Sequence, residues 1–340
     1  MRCSNVRLEL LLALLCLAGV ASCVYWFKSH STPSTEAVRL RNALLVRGVE
    51  PRRYFEWTPD TVPAGFARDV ATTEGVFSAQ ISVLGLAKMA TDQEKMFAIT
   101  AHLTERAQRT GAAMADLRGT YEIMRGGGGY CSDFVNVFLA FANEAGLFAR
   151  EWGFSFDGFG GWGHAFVEVF DRDRQQWVFL DVFNNFHMID PETGAPVSAL
   201  TFREHLMTGK PPLVLTKTGA GRFGFRSKAE ALAYYRAGMT QWYLWEGNAV
   251  LTYDAHPAVR LLAPVARSAE QLAALAVGVH PRFRIVSDPM NVSDVEALLQ
   301  VRLKLLVVSL SMVVCVVVMG FALVRYVRCS RASSRLSLGQ

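Results

Sequence analysis

The stretch GGGGYCSDFVNVFLAFANEAGLFAR at residues 126–150, followed by GHAFVEVFDRDRQQWVFLD at residues 163–181, decides the fold of this chain. Four glycines lead into a run that is apolar on nearly every side, which predicts a helix buried in the middle of a domain. Gly146 suits the left-handed conformation that ends such a helix. The second segment holds two β-rich runs joined by a charged turn, which predicts a β-hairpin. The sequence therefore predicts an α+β fold in which a central helix packs on an antiparallel sheet.

Cys131 lies where the glycines meet the predicted helix. The unpaired amides and the positive dipole end of a helix N-terminus favour a thiolate over a thiol. Glycines at this point also let a substrate backbone approach closely. The competing interpretation is a buried structural cysteine, which would lie more naturally in the middle of a helix.

The hairpin brings His164 and Asp181 together. If residues 171–174 form a four-residue loop, Phe170 pairs with Gln175 and His164 lies directly opposite Asp181. A two-residue turn gives the same register, whereas an odd-length loop shifts it by one. Opposed residues share a face, with Cβ atoms roughly 5 Å apart. The carboxylate would then orient the imidazole and favour its protonated form, and the other ring nitrogen could face the thiol.

The motifs GGGYC at a helix start, EAGLFAR, GHAFVEV and WVFLD, in this order, resemble the transglutaminase-like superfamily over about residues 126–181. The resemblance implies a papain-like core with Cys131 as the nucleophile and His164 as the base and then the acid. It implies Asp181 as the orienting carboxylate, and it places the backbone amide of Cys131 in the oxyanion hole.

The chain departs from animal transglutaminases, which use a tryptophan well upstream of the cysteine to hold the oxyanion. No tryptophan lies between Trp57 and Trp152. Tyr121, Tyr130 and Trp162 are the candidates to replace it and to border the substrate groove. No acidic cluster resembles a calcium loop, so calcium-dependent crosslinking is not predicted, and neither a metal nor a cofactor is expected.

Two further interpretations concern charged and metal-binding residues near the motif. Glu168 shares a strand face with His164, and we interpret it as the partner of a salt bridge, with Arg150 as the candidate cation. The alternative of a zinc site matches no common ligand spacing, and it would use Cys131, His164, Asp181 and His187.

Two apolar runs lie near the ends of the chain. Residues 305–324 carry no charge and are long enough to cross a bilayer. Residues 8–27 follow Arg2 and Arg7 and resemble a signal anchor, although Glu9 interrupts the run. The tetrapeptide VASC offers the alternative of a lipoprotein signal that is cleaved before Cys23.

Basic residues beyond both runs predict that both termini are cytoplasmic and that residues 28–302 lie outside the cytoplasm. Five cysteines lie in or beside the terminal segments, namely Cys3, Cys16, Cys23, Cys315 and Cys329. Cys131 is then a single thiol in an oxidising compartment with no intrachain partner, which favours a functional role.

The net charge of +5 is concentrated at the chain ends, and the middle shows no basic stripe interleaved with aromatics. Nucleic-acid binding is therefore not expected. The predicted organisation is a signal anchor at 1–27, a helical N-terminal extension at 28–110, a transglutaminase-like catalytic core at 111–197, a C-terminal extension at 198–302, a transmembrane helix at 303–325 and a cytoplasmic tail at 326–340.

Patterns outside the core predict further elements. Thr91 and Glu94 match a capping box that begins a helix ending near Arg109. Residues 241–253 are aromatic and strand-like. Further helices are predicted at residues 37–46, 112–124, 198–207, 227–237 and 268–277, the last with Ser268 as its N-cap.

The sequence thus favours a thiol enzyme anchored in a bacterial inner membrane with its main domain in the periplasm. Its hypothesised substrate is a peptide or protein of the cell envelope, and the reaction is acyl transfer or hydrolysis at an amide or peptide bond. The alternative is a catalytically silent transglutaminase-like module that serves in envelope assembly or binding. The pattern leaves the oligomeric state open.

Overall fold

A computed structural model describes residues 6–69, 75–108, 110–113 and 115–337. Arg2 and Cys3 lie outside the described residues, as do the side chains of Ser268, Arg331 and Arg335.

The chain divides into two compact units. The sheet unit is Leu45–Ser293. The helical unit combines Met1–Leu44 with Asp294–Gln340.

Eight strands of the described chain form one sheet in the order β1-β8-β7-β2-β3-β4-β5-β6. Neighbouring strands are antiparallel except β1 and β8, which are parallel. The strands are β1 Val46–Glu50, β2 Ala149–Ser155, β3 Gly163–Asp171, β4 Gln176–Asp181, β5 Phe186–Ile189, β6 Val214–Lys217, β7 Trp242–Trp245 and β8 Phe283–Val286.

Some of the helices cover the two faces of this sheet, and others form the helical unit. The α-helices are α1 Val6–His30, α2 Ser34–Leu45, α3 Ser78–Leu84, α4 Asp92–Thr104, α5 Leu117–Arg125, α6 Cys131–Glu144, α7 Ala199–Thr208, α8 Lys228–Ala237, α9 Val250–Ala255, α10 Pro257–Leu262, α11 Arg267–Ala276 and α12 Val292–Ser337. Two short 3₁₀ helices lie at Arg52–Phe55 and Leu86–Lys88.

Alternating side chains of the central strands build two separate cores. Val167 and Val169 of β3 belong to the cluster that also contains buried apolar residues of α4, α5 and α6. Phe166 and Phe170 of the same strand belong to an aromatic cluster with α7 and α8. The sheet therefore lies between two helical layers, as the period of two along a strand requires when both faces are buried.

Helix α6 is the buried central helix that its apolar sequence predicts. Its three aromatic residues, Phe134, Phe138 and Phe141, are all fully buried. Gly146 follows the helix with φ +71°, the left-handed conformation expected at this position. The α+β prediction, with this helix packed on an antiparallel sheet, is confirmed.

Glu168 and Arg150 form the salt bridge that the sequence predicts, and both side chains are fully buried. Arg150 donates from Nε to a carboxylate oxygen at 2.8 Å. Its guanidinium lies 3.8 Å from the ring centroid of Trp177 and 4.6 Å from that of Trp57. Glu168 also accepts from the backbone N–H of Ala199 at 2.6 Å. The pair therefore has the charge compensation that burial demands.

The predicted register of the β3–β4 hairpin is wrong by two residues, because Phe170 pairs with Trp177 rather than with Gln175. The side chain of Asp171 accepts from the N–H groups of Asp173 and Arg174, at 2.9 and 3.2 Å, and so begins the turn one residue later. Gln175 closes the turn with φ +54°. A shift of two leaves every side chain on its predicted face.

Helix α4 begins as predicted. The Thr91 hydroxyl accepts from the N–H of Glu94 at 3.1 Å, and the Glu94 carboxylate accepts from the N–H of Thr91 at 3.2 Å. The helix ends at Thr104, earlier than predicted. Helix α5 begins later than predicted, because Asp116 caps it by accepting from the N–H of Gly119 at 2.8 Å.

Residues 241–253 are predicted as strand-like, but only β7 is a strand and helix α9 follows it. The carboxylate of Asp69 accepts from the N–H groups of Leu251 and Thr252, each at 2.8 Å, and so caps the start of α9. Helix α11 has Ala266 at its N-cap position instead of Ser268. The predicted helices at 198–207 and 227–237 correspond to α7 and α8, whose N-caps are Ser198 and Ser227.

The helical unit contains two helices that are long and apolar enough to cross a membrane. Helix α1 has 25 residues and α12 has 46 residues. At 1.5 Å per residue they measure about 37 and 69 Å, against a hydrocarbon layer of about 30 Å. Helix α12 therefore continues well beyond the predicted span of 303–325. The two helices support association of the protein with a membrane.

Candidate active site

Cys131 is the first residue of α6, and its side chain is half-buried. Asp133 organises this first turn. Its Oδ2 atom accepts from the backbone N–H of Tyr130 at 2.9 Å and from that of Ala113 at 3.0 Å. A carboxylate in the first turn also interacts favourably with the helix dipole. The sulfur therefore lies at a helix N-terminus that is tied to the neighbouring segment.

The glycines before Cys131 adopt backbone conformations that other residues rarely reach. Gly127 and Gly129 have φ values of +102° and +97°. The N–H of Gly129 donates to the carbonyl of Gly111 at 2.9 Å, and Gly127 accepts from the N–H of Gln108 at 3.0 Å. A Cβ atom at Gly129 would also lie 3.2 Å from the ring of Phe134. The turn thus needs glycine for its conformation and for its packing.

His164 and Asp181 form a buried pair. Nε2 of His164 lies 2.9 Å from Oδ2 of Asp181, although the two residues are not directly opposite in the sheet. The side chain of Cys131 lies close enough to His164 to interact with its imidazole. Because the carboxylate occupies Nε2, Nδ1 is the ring nitrogen that remains for the sulfur. The structure thus brings together the three residues of the predicted triad.

Asp181 accepts hydrogen bonds from several donors besides His164. The Tyr235 hydroxyl donates to Oδ2 at 2.7 Å, and Nδ2 of Asn184 donates to the same atom at 2.8 Å. The backbone N–H of Asn184 donates to Oδ1 at 2.9 Å. Burial alone would raise the pKa of Asp181, but His164 and the Asn184 donors lower it below its usual value. The carboxylate therefore stays charged in a buried position.

The imidazole of His164 keeps its proton to unusually high pH. Burial disfavours its charged form, but Asp181 and the nearby Cys131 side chain outweigh this effect and raise the pKa to about 10. Aromatic rings surround the imidazole, with the centroids of Phe154, Tyr234 and Tyr235 each 5.7 Å away. These rings limit the access of water to the pair, which strengthens its electrostatic interaction.

Residues 83–182 match the family model of the transglutaminase-like superfamily. The chain contains a transglutaminase-like domain. The match includes Cys131, His164 and Asp181, and it is wider than the residues whose motifs suggest the family in the sequence. No curated protein and no solved structure matches the chain.

The three aromatic candidates for the oxyanion site of the transglutaminase-like domain differ in their exposure and contacts. Tyr130 directly precedes the cysteine and is 51% exposed, and Trp162 is 68% exposed on the loop before β3. Tyr121 instead has its hydroxyl 2.8 Å from Nε2 of His102. The ring of Tyr121 packs against Phe141 of α6. These contacts assign Tyr121 to the core and leave two exposed candidates.

Two residues that support Asp181 of the transglutaminase-like domain are not predicted from the sequence. Tyr235 lies in α8, beyond the family match, and no local pattern distinguishes it from a packing residue. Burial and the nearby carboxylate raise the pKa of Tyr235, so its hydroxyl remains a donor. Asn184 carries a weak signal, because an Asp followed three residues later by Asn is typical of a side-chain-stabilised turn.

The alternative of a zinc site has no structural support. In the described part of the chain, no group of three or more His, Cys, Asp or Glu side chains is arranged to hold a metal ion. Nδ1 of His187 lies 2.8 Å from the Thr218 hydroxyl, and its ring packs 4.6 Å from that of Phe97. His187 is therefore a packing residue of β5.

Proposed function

We propose that this chain is a membrane-anchored, transglutaminase-like thiol enzyme that acts on amide or peptide bonds. The observation that carries the proposal is the 2.9 Å contact between His164 and Asp181, with the side chain of Cys131 near the same imidazole. A nucleophile, a base and a group that orients the base are the components of covalent catalysis by a thiol.

The proposed reaction begins with a proton on His164 and a thiolate on Cys131. The sulfur attacks the substrate carbonyl and forms a tetrahedral intermediate. His164 then gives its proton to the leaving amine, the C–N bond breaks and a thioester remains on Cys131. Water or a second amine attacks the thioester while His164 takes its proton, and the C–S bond breaks. Hydrolysis gives an acid, whereas transfer gives a new amide.

The oxyanion of both intermediates needs hydrogen-bond donors that are already in position. The backbone N–H of Cys131 is one proposed donor, because first-turn amides of a helix have no partner within the helix. Tyr130 and Trp162 are the proposed sources of the second donor and border the proposed substrate groove, since both are exposed beside elements that carry the triad.

We further propose that the sheet unit lies in the periplasm of a bacterium and that both termini lie in the cytoplasm. This placement rests on the arginines that follow the second apolar run and precede the first. It makes an envelope protein or peptide the proposed substrate.

Labelling of the full-length protein with an iodoacetamide probe, mapped by mass spectrometry, tests the enzyme proposal. Because the imidazolium persists to a pH of about 10, we expect Cys131 to react faster at neutral pH than in the His164→Ala variant. The expected difference is about tenfold or more, since a neighbouring opposite charge changes ionisation equilibria by that amount.

The Cys131→Ala variant is the matched control, because it retains the cysteines of the helical unit. Equal labelling of Cys131 with and without His164, together with normal cellular function of the Cys131→Ala variant, would instead identify a catalytically silent module for envelope assembly or binding. An acyl group found on Cys131 by its mass would identify the substrate class.

A further inference from the structure

The two apolar helices of the helical unit contact each other near the ends that we propose to be cytoplasmic. Oε1 of Glu9 in α1 lies 3.6 Å from Nη1 of Arg325 in α12. The Glu9 side chain is 6% exposed. A carboxylate in an apolar run is costly within a bilayer unless it has a partner. The arginine therefore explains how this run tolerates a charge.

A second contact lies further along the same two helices. A Cβ atom added at Gly19 would lie 2.8 Å from Sγ of Cys315, so any larger residue would have to displace that side chain. The side chain of Cys16 in α1 also lies near that of Cys315. Small residues at such points allow the backbones of membrane helices to approach each other.

The two contacts share one antiparallel register. Gly19 lies ten positions after Glu9, and Cys315 lies ten positions before Arg325. Continuing this register sets residues 8–27 beside residues 307–326, which nearly coincide with the second uncharged run. Both apolar segments can therefore occupy the same layer of hydrocarbon.

The buried side chains of α1 agree with this pairing of the two helices. Glu9, Ala13 and Cys16 are buried, and their spacing of four and three places them on one helix face. Leu11 and Leu15, on other faces, are 54% and 62% exposed. Helix α1 thus has one face toward α12 and the remaining faces available to lipid.

We propose that α1 is retained in the mature protein and pairs with α12 as an antiparallel two-helix membrane anchor, joined by Glu9–Arg325 and by the close approach of Gly19 to Cys315. Cleavage before Cys23, as in a lipoprotein, would remove Glu9 and Gly19, the α1 residues of both contacts. An antiparallel pair also requires both chain ends to lie on one side of the membrane. The proposal does not depend on catalysis at Cys131.

Disulfide crosslinking in native membranes tests this pairing. The full-length chain would keep Cys16 and Cys315, with serine in place of the other cysteines and a protease site inserted in the exposed turn at residues 191–194. After oxidation with copper phenanthroline and cleavage, we expect the two halves to remain joined until a reductant is added. Before cleavage, the crosslinked chain should migrate as a monomer.

The matched control moves the thiol to an outward face through Cys16→Ser combined with Leu15→Cys. Its halves should separate after cleavage. Separation of the Cys16–Cys315 halves, equal joining in the control, or a disulfide-linked dimer would each overturn the proposal. Mass spectrometry of the unaltered protein gives an independent readout, and a mature chain that begins at a lipid-modified Cys23 would also overturn it.

Discussion

At the scale of single residues, the Tyr235 hydroxyl donates to Asp181 from a helix outside the family match. Its removal in Tyr235→Phe should raise the pKa of Asp181, because a hydrogen bond to a charged group contributes about 1.5–3 kcal/mol. A carboxyl whose folded pKa is depressed loses its charge as pH falls, so the acidic limb of Cys131 labelling should move to higher pH. The limb should move by about one to two pH units.

The matched control is Tyr54→Phe, which removes a hydroxyl donated to the Glu246 carboxylate outside the candidate site. Its labelling profile should coincide with that of the unaltered protein. An unmoved acidic limb in Tyr235→Phe would show that this residue only packs and does not position the carboxylate.

The buried pair of Arg150 and Glu168 allows a prediction about stability. Arg150→Met leaves an uncompensated buried carboxylate, which typically costs about 3–5 kcal/mol. For a unit of this size, the midpoint of thermal unfolding should fall by roughly 6–20 °C. The exposed pair of Arg52 and Glu204 provides the control, because Arg52→Ala should cost less than about 1 kcal/mol. Similar changes in both variants would contradict the role of burial.

At the scale of secondary-structure elements, the start of α6 depends on Asp133. Asp133→Ala removes the acceptor for two backbone N–H groups, and the loss of such a cap costs about 1–2 kcal/mol. We expect both a lower unfolding midpoint and slower labelling of Cys131. Thr91→Ala removes the cap of α4 and should lower the midpoint without slowing the labelling. Unchanged labelling in Asp133→Ala would mean that the first turn persists without this carboxylate.

Strand β5 contains a histidine, His187, whose burial lowers its pKa from 6.5 to about 4. A depressed histidine pKa contributes stability above pH 6.5, and this contribution is lost as pH falls toward 4. The loss amounts to roughly 3 kcal/mol at most. The unfolding midpoint should therefore fall more steeply with acidification in the unaltered protein than in His187→Gln, and parallel curves would contradict this expectation.

The predictable part of the site lies within one short stretch of chain. Cys131, His164 and Asp181 are separated only by one helix, three strands and short connections, so local patterns suffice to bring them together. The hairpin register is wrong because the Asp171 side chain, rather than the backbone alone, determines where the turn begins. The error does not affect the site, since a shift of two residues preserves the strand face.

Elements that depend on distant partners are not predictable from local patterns. Helix α9 is capped by Asp69, which lies far earlier in the chain. Tyr235, the partner of Asp181 in α8, likewise cannot be recognised from the sequence, because it resembles an ordinary aromatic residue of a helix. Strand β1 is short and has a mixed pattern of exposure, and its only strand neighbour in the described chain is β8.

At the scale of the whole molecule, the orientation in the membrane is open to a direct test. A reporter that is active only outside the cytoplasm, inserted after Thr35, should be active if residues 28–302 lie outside. The same reporter placed after Gln340 should be silent. The reverse pattern would contradict the proposed orientation and would remove the argument that Cys131 lies in an oxidising compartment.

The parallel pairing of β1 with β8 also has a consequence for biosynthesis. Val46 pairs with Phe283, which is 237 positions later in the chain. At 5–20 residues per second, the ribosome needs roughly 10–50 s to produce the second strand after the first. Strand β1 therefore lacks its strand partner until nearly all of the sheet unit has been translated. This edge of the sheet can form only late in synthesis.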